Sequence, residues 1–292
     1  MHKNSLNAAG QGPKGSSITQ RRTLRRGRAL WADSRELHVP SQEPKCDVFC
    51  DVAIVGAGIS GALVARSLLA RGHKVAMFDR RDLLRGSTVV STALLEFELD
   101  VSLIELSTRI GRARAERAWL RSVQAVKMLA GIIRRHRIRC GFAERTSLYL
   151  AGNRYGARAL RREVAARERV GIPGRFVSQA ELLLRFGIER TGAIESDGSA
   201  VADPAQLTAG LLRRAVRRGA RIYDHADVRE IASDKSGVVL GLASGHSVIA
   251  DHVVFCTGYE LPAQIPLRQP KQSRLEGRLT IHQLAVLPGP MI

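Results

Sequence analysis

Apolar and polar positions along this chain follow two rhythms, one of strands and one of helices. Val52 to Val55 is an unbroken apolar run and predicts a buried strand. Residues 59–71 carry apolar positions at helical spacing, and Lys74 to Phe78 returns to a strand-like run that ends on Asp79. Residues 101–139 predict two helices, one with a stripe from Leu103 to Ile110 and one with a stripe from Trp119 to Ile133, broken near Gly111. Thr146 to Ala151 alternates as a strand does, and 156–170 predicts a charged helix stopped by Pro173 and Gly174. Ser178 and Glu181 form a capping box for a short helix over 179–186. Residues 192–198 predict a loop with one short strand. Asp203-Pro204 starts a helix that runs to Arg218 and stops at Gly219. Beyond it the pattern is β: a short strand at 221–223, a three-strand meander over 227–232, 238–242 and 247–249, and a separate buried strand over 250–256 ending in Thr257-Gly258.

The two ends have a different texture. Residues 1–45 predict a basic arm, disordered over the first twenty residues, with Trp31 as a packing anchor. Residues 263–292 are punctuated by proline and show no strand or amphipathic helix, which predicts an irregular tail.

The order strand, glycine turn, helix, strand, acid over 51–81 is the context in which a glycine motif binds a dinucleotide. The turn is Gly56-Ala57-Gly58-Ile59-Ser60-Gly61. Gly56 permits the sharp turn, Gly58 leaves room for a pyrophosphate, and Gly61 lets the helix approach the sheet. The helix N-terminus then offers N–H groups to phosphate. Asp79, twenty-three positions after Gly56, can accept from both hydroxyls of an adenosine ribose and disfavours a 2′-phosphate. Arg80 and Arg81 pull the other way, since an arginine there can meet phosphate. After Asp79 comes a hydroxyl-rich loop, Ser87, Thr88, Ser91 and Thr92, ahead of what reads as an apolar helix start. It suits either cofactor contact or a plain helix cap.

Composition changes this picture little. Apolar residues make up 45% of the chain, enough for a globular core, and aromatics only 4%, too few for base-stacking platforms. The net charge of +19 raises the question of a nucleic-acid or acidic-surface partner. The arginines are scattered among helical segments, however, which favours solvated helix faces and makes nucleic acid an unlikely partner. The densest stretch, Arg109 to Arg139, holds ten basic residues and one acid, and His136 within it is expected to be exposed. Four cysteines form no disulfide framework in a chain this long, and Cys46-x-x-x-Cys50 lacks a second pair at zinc spacing, so no metal is expected. Cys256 is expected to be an inert core thiol. The paired arginines near residues 21–26 precede no apolar segment, and no stretch has the length of a membrane span, so a cytoplasmic location is expected.

DVAIVGAGISGALVARSLLARGHKVAMFDRR, RGSTVVSTALLEFELD, SLYLAG, the Asp203-Pro204 helix start and DHVVFCTGYE together resemble the FAD-dependent amine and amino-acid oxidoreductases of the D-amino-acid oxidase and glycine oxidase type. The resemblance covers roughly residues 21–260. It implies an α/β fold: a discontinuous Rossmann-like FAD-binding domain, βαβ unit plus β-meander, over 46–104 and 200–262. An inserted α+β substrate-domain segment would occupy 105–199. FAD is the implied cofactor, with NAD(P) as the alternative occupant of the same turn. Gly56, Gly58 and Gly61 would hold the pyrophosphate and Asp79 the ribose. Ser87, Thr88, Ser91 and Thr92 would sit by the pyrophosphate and flavin, Val228 would offer backbone groups to the adenine, and Thr257 and Gly258 would close over the nucleotide. The implied reaction is hydride transfer from the α-carbon of an amine or amino acid to flavin N5. Such relatives continue for about a hundred residues past the Thr-Gly strand, so the sequence reads as C-terminally truncated. No catalytic residue can be named from it. Two other readings follow: an inactive remnant that at most binds FAD, its uncovered sheet taken up by a partner chain, or a basic nucleic-acid-binding protein.

Overall fold

The computed structural model describes residues 29–234, 237–258 and 285–287. The disorder expected over the first twenty residues, and most of the irregular tail, lie outside the described residues. In chain order the elements are β1 (Val48–Val55), α1 (Ile59–Leu69), β2 (Val75–Phe78), β3 (Leu94–Leu95), α2 (Leu103–Ile110) and α3 (Arg112–His136). They continue with β4 (Ala143–Leu150), α4 (Ala157–Glu168), β5 (Arg175–Ser178), α5 (Gln179–Phe186), β6 (Gly192–Val201) and α6 (Pro204–Arg217). The last are β7 (Arg221–Tyr223), β8 (Val228–Asp234), β9 (Gly237–Leu242), β10 (Ser247–Phe255) and β11 (Ala285–Leu287).

The larger sheet has the order β7-β2-β1-β10-β9-β8, with β11 also pairing β10. β1 runs parallel to β2 and to β10, and β2 parallel to β7; β8, β9 and β10 form an antiparallel meander. Both faces of the parallel part are covered. Val52 and Ile54 point with Met77 towards α1 and α6, into a core that includes Ala62, Ala65, Leu211 and Leu212. Ala53 and Val55 point the other way, into a core with Phe78, Phe255, Leu240 and Tyr223. A strand buried on two faces has no polar side, which is why this region reads as an unbroken apolar run. Each of the larger side chains here, valine, isoleucine, leucine, methionine or phenylalanine, contributes about 1.5–3 kcal/mol on burial.

Residues 247–249 and 250–256, separate in the sequence reading, are here one nine-residue strand, β10. No glycine or proline interrupts Ile249-Ala250-Asp251. The first half pairs β9 while the full length pairs β1, from Val48 opposite Val248 to Val55 opposite Phe255. β11 is a strand in a stretch where none was expected.

The second sheet has the order β3-β6-β4, with β5 also on β6. Its central strand, β6, is ten residues long where a loop with one short strand was expected, because Gly192, Asp197 and Gly198 mimic turn chemistry inside a paired strand. The helix start expected after the Ser/Thr loop is absent: Ser87–Val90 is a single 3-10 turn, and Leu94–Leu95 pairs with β6. The break between α2 and α3 falls at Gly111, and the caps at Ser178 and Asp203 form as the sequence predicts.

One charged cluster is buried beside this sheet. Arg167, with 2% of its side chain exposed, bonds Glu98 at 2.9 Å and Glu163 at 3.1 Å, and lies over the Trp119 ring. Glu163 also accepts from the backbone N–H groups of Leu103 and Ile104, so it caps α2 from another helix. Among the described residues no helix is long and apolar enough to cross a membrane.

Candidate cofactor site

The three central parallel strands end flush. Phe78, Val55 and Phe255 lie in one row across β2, β1 and β10. The next residues stay linked: Gly56 N–H donates to the Phe78 carbonyl at 2.8 Å and Cys256 N–H to the Val55 carbonyl at 2.7 Å. Asp79, the glycine turn and Thr257-Gly258 therefore leave the sheet side by side, at the carboxyl ends of parallel strands where open α/β sheets bind ligands.

Within this row each small residue has a steric reason. Gly56 has φ +105°, and a side chain on it would strike the Cys256 carbonyl. On Gly61 a side chain would strike the Gly56 carbonyl oxygen and crowd Met77, so α1 sits against the turn only because residue 61 has none. Ala57 N–H donates to Asp79 Oδ2 at 3.0 Å, and Arg81 N–H to Asp79 Oδ1 at 3.2 Å. Each carboxylate oxygen keeps lone-pair capacity beyond these bonds, on a side chain that is only half-buried.

The Ser/Thr loop folds over the start of α1. Thr88 Oγ1 accepts from Ile59 N–H at 3.2 Å, which satisfies one first-turn donor within the protein. A side chain on Gly58 would lie 3.1 Å from the same Thr88 oxygen, and one on Gly258 would lie 3.6 Å from Ser87 Oγ. Ser87, Thr88, Gly58 and Gly258 thus converge on one cradle, with Ser60 exposed in part beside it. Ser91 and Thr92 are exposed at its edge. Ser91 Oγ accepts from Ala93 N–H, and the Ser91 carbonyl accepts from Trp31 Nε1 at 3.0 Å, so Trp31 braces the loop from the arm. Val228 opens β8; two residues before it, Ala226 N–H donates to the Asp79 carbonyl at 2.8 Å, which tethers this segment to the acid's own backbone. Arg80 is exposed.

Thr257 Oγ1 is buried and has no hydrogen-bond partner among the described residues. A buried hydroxyl without a partner costs about 1–3 kcal/mol, and of the three such side-chain atoms among the described residues, with Trp119 Nε1 and Ser199 Oγ, this one lies beside the glycine turn, where a ligand group can serve it. With the cradle that a side chain on Gly58 would crowd, it fits an adenine dinucleotide whose pyrophosphate lies over the turn.

His225, which carried no pattern signal, stands beside Asp79 in a left-handed conformation with Asp82 at 3.4 Å, Asp224 at 3.6 Å and Glu43 at 3.9 Å. Cys256 lies just past β10 rather than within it, and burial pushes its thiol up to about 11. A separate cavity of about 380 Å³ lies between α2, α4 and the second sheet. There Tyr155 donates to Glu105, and with Arg154 and Arg109 it holds that carboxyl below its ordinary range.

Comparison with known proteins gives the family and the fold. Glycine oxidase of Geobacillus kaustophilus (strain HTA426) is 30% identical over 217 residues, 71% of this chain and 54% of that protein. A protein of Bacillus subtilis (strain 168) described as a Rieske 2Fe-2S iron-sulfur protein is 24% identical over 213 residues, 73% of this chain and 41% of that one. The crystal structure of the Geobacillus glycine oxidase superimposes with a TM-score of 0.61 at 25% identity, covering 72% of this chain and 56% of the other. The chain spans about half the length of the curated relatives it matches. The family description "DAO: FAD dependent oxidoreductase" matches residues 51–288, and by that match the chain belongs to the DAO family of FAD-dependent oxidoreductases.

Proposed function

We propose that the chain binds FAD at the row formed by Gly56, Asp79 and Thr257 and takes part in oxidation of an amine or amino acid. The observation that carries this reading is the convergence of the three strand ends on a cradle containing an unpartnered buried hydroxyl. FAD held there would supply a two-electron acceptor for the hydride of the substrate α-carbon. The protein's share is positional. The glycine turn and the α1 N-terminus receive the pyrophosphate, Asp79 accepts from the ribose, and the backbone at Val228 meets the adenine. Ser87, Thr88 and Thr257 supply hydroxyls at the phosphate end. Ala57, Ile59, Ser60, Arg80, Ser91, Thr92 and Gly258 complete the proposed set. We assign 46–104 and 200–262 to the FAD-binding domain and 105–199 to the substrate side, and take a small amine or amino acid as the substrate. A cytoplasmic location suits the four free thiols.

The test is to purify the chain, add FAD, remove excess by gel filtration and record the visible spectrum before and after adding amines anaerobically. Retained flavin that bleaches with an amine supports the proposal, and a colourless protein overturns it. A second reading is FAD binding without turnover. It predicts retained flavin that no amine reduces.

A further inference from the structure

Arginines far apart in the chain meet at one place on the helical face. The end of α3, the end of α6 and the arm enclose an open cleft of about 530 Å³. Arg137, Arg139, Arg213, Arg214 and Arg217 line it, with Glu36 as its one acid. Its floor is a close contact: Ile138 occupies the space where a side chain on Gly210 would stand, which brings the segment after α3 against the middle of α6. A smaller adjoining cleft, about 150 Å³, shares His136 and Arg214 and adds Arg66, Arg135 and Arg218. The scatter of arginine along the sequence therefore conceals a concentration in space.

Arginines in the last turn of a helix ordinarily serve its free carbonyls. Two of these do something similar. Arg213 donates to the carbonyls of Glu36 and His38, at 2.5 and 3.1 Å, and Arg214 to the His136 carbonyl at 3.2 Å. Arg137, Arg139 and Arg217 make no side-chain hydrogen bond or ion pair among the described residues. Their guanidinium forks face the same space, and gathering like charges raises the energy of the folded state unless an anion compensates. His136, expected to be exposed, is half-buried between the clefts. It accepts from Arg66 Nε at 3.5 Å. Burial, and then the charges of Arg66, Arg214, Arg218 and Arg135, hold its imidazole below the ordinary range, so it adds no positive charge of its own at neutral pH.

We propose that this cleft binds a phosphate-bearing anion, with Arg137, Arg139 and Arg217 as the free bidentate donors and Arg213 and Arg214, fixed by backbone carbonyls, as the preorganised ones. The cleft is distinct from the glycine turn. None of its lining residues comes from α1, and the smaller adjoining cleft meets that helix only from Arg66, eight residues and about 12 Å along it from Gly58 at 1.5 Å per residue. A volume of this size takes a diphosphate together with part of an attached group.

The test is calorimetric titration of inorganic pyrophosphate into the full chain saturated with FAD, so that the glycine turn is filled. Saturable binding is expected, weakened at least about tenfold in Arg139→Gln/Arg217→Gln. Binding should also move the His136 imidazole titration upward in NMR spectra. ADP in place of pyrophosphate separates the sources: tighter binding assigns the cleft to a phosphorylated metabolite, and equal binding assigns it to the phosphate group itself. Absence of saturable binding, or equal affinity in the double variant, overturns the proposal. So does binding that FAD abolishes, which would belong to the glycine turn. Duplex DNA that binds with a steep salt dependence where pyrophosphate does not would overturn it in favour of a nucleic-acid surface. Neither substituted arginine touches the turn, so the double variant decides the matter even in a chain that retains no flavin.

Discussion

Thr257→Val separates the protein's needs from the cofactor's. Valine has the shape of threonine and opens no cavity, so the substitution removes only the buried hydroxyl that lacks a partner among the described residues. An orphaned group of this kind costs about 1–3 kcal/mol, and its removal should stabilise the flavin-free chain by about 1 kcal/mol. With a urea slope of about 2–3 kcal/mol per molar, the unfolding midpoint rises by about 0.3–0.5 M. FAD affinity should move the other way. A hydrogen bond lost to a ligand group costs about 1–1.5 kcal/mol, close to tenfold in Kd, read by flavin fluorescence titration. Thr257→Ser should restore binding. A valine variant that is less stable without flavin and binds FAD as tightly as the parent would refute the reasoning, because the hydroxyl would then have its partner inside the protein.

Other perturbations test the surrounding structure. Gly61→Ala puts a methyl group into the Gly56 carbonyl oxygen, so backbone must shift; a loss of about 3 kcal/mol is expected in urea unfolding, together with loss of flavin retention. Arg167→Met leaves Glu98 and Glu163 buried without their cation; a loss of about 3–5 kcal/mol is expected, and a stability within 1 kcal/mol of the parent would contradict the account of that cluster. Arg185, and after it Arg175, hold the Glu195 carboxyl below its ordinary value of 4.5 in the folded chain. The stability this gives is therefore full above pH 4.5 and lost as pH falls through the depressed value. Glu195→Gln should flatten the acid limb of a stability–pH profile and leave its neutral part unaltered in slope.

The parts of the fold legible in the sequence are those where one local rule acts alone. β1, the glycine turn, α1 and β2 combine an unbroken apolar period with glycine punctuation, and nothing tertiary contradicts them. Gly111, Ser178 and Asp203 mark helix ends because each satisfies or interrupts backbone groups locally. The rest depends on partners. β6 is held as a strand by β4 and β5 on its two sides, which outweighs its Gly, Asp and Ser content. The Ser/Thr loop turns into β3 instead of a helix because β6 offers it an edge. For the site, Gly56, Gly61 and Asp79 are visible from spacing. The unpartnered state of Thr257, the acids around His225 and the meeting of Arg137 with Arg217 exist only in three dimensions.

The position of β10 has a consequence for biosynthesis. It lies at the centre of the large sheet, between β1 and β9, yet among the described residues it is the last long strand in order of synthesis. β1 is complete at Val55, and its partner on that side is complete only at Phe255, two hundred residues later. At about 5–20 residues per second, the growing chain carries an apolar strand with one open edge for about 10–40 s. The helices and small sheet of the intervening segment are local enough to form in that interval, while the large sheet waits. A nascent chain in this state is exposed to aggregation and to chaperones through β1, and its vulnerability ends when β10 slots into place and the row beside the glycine turn is closed.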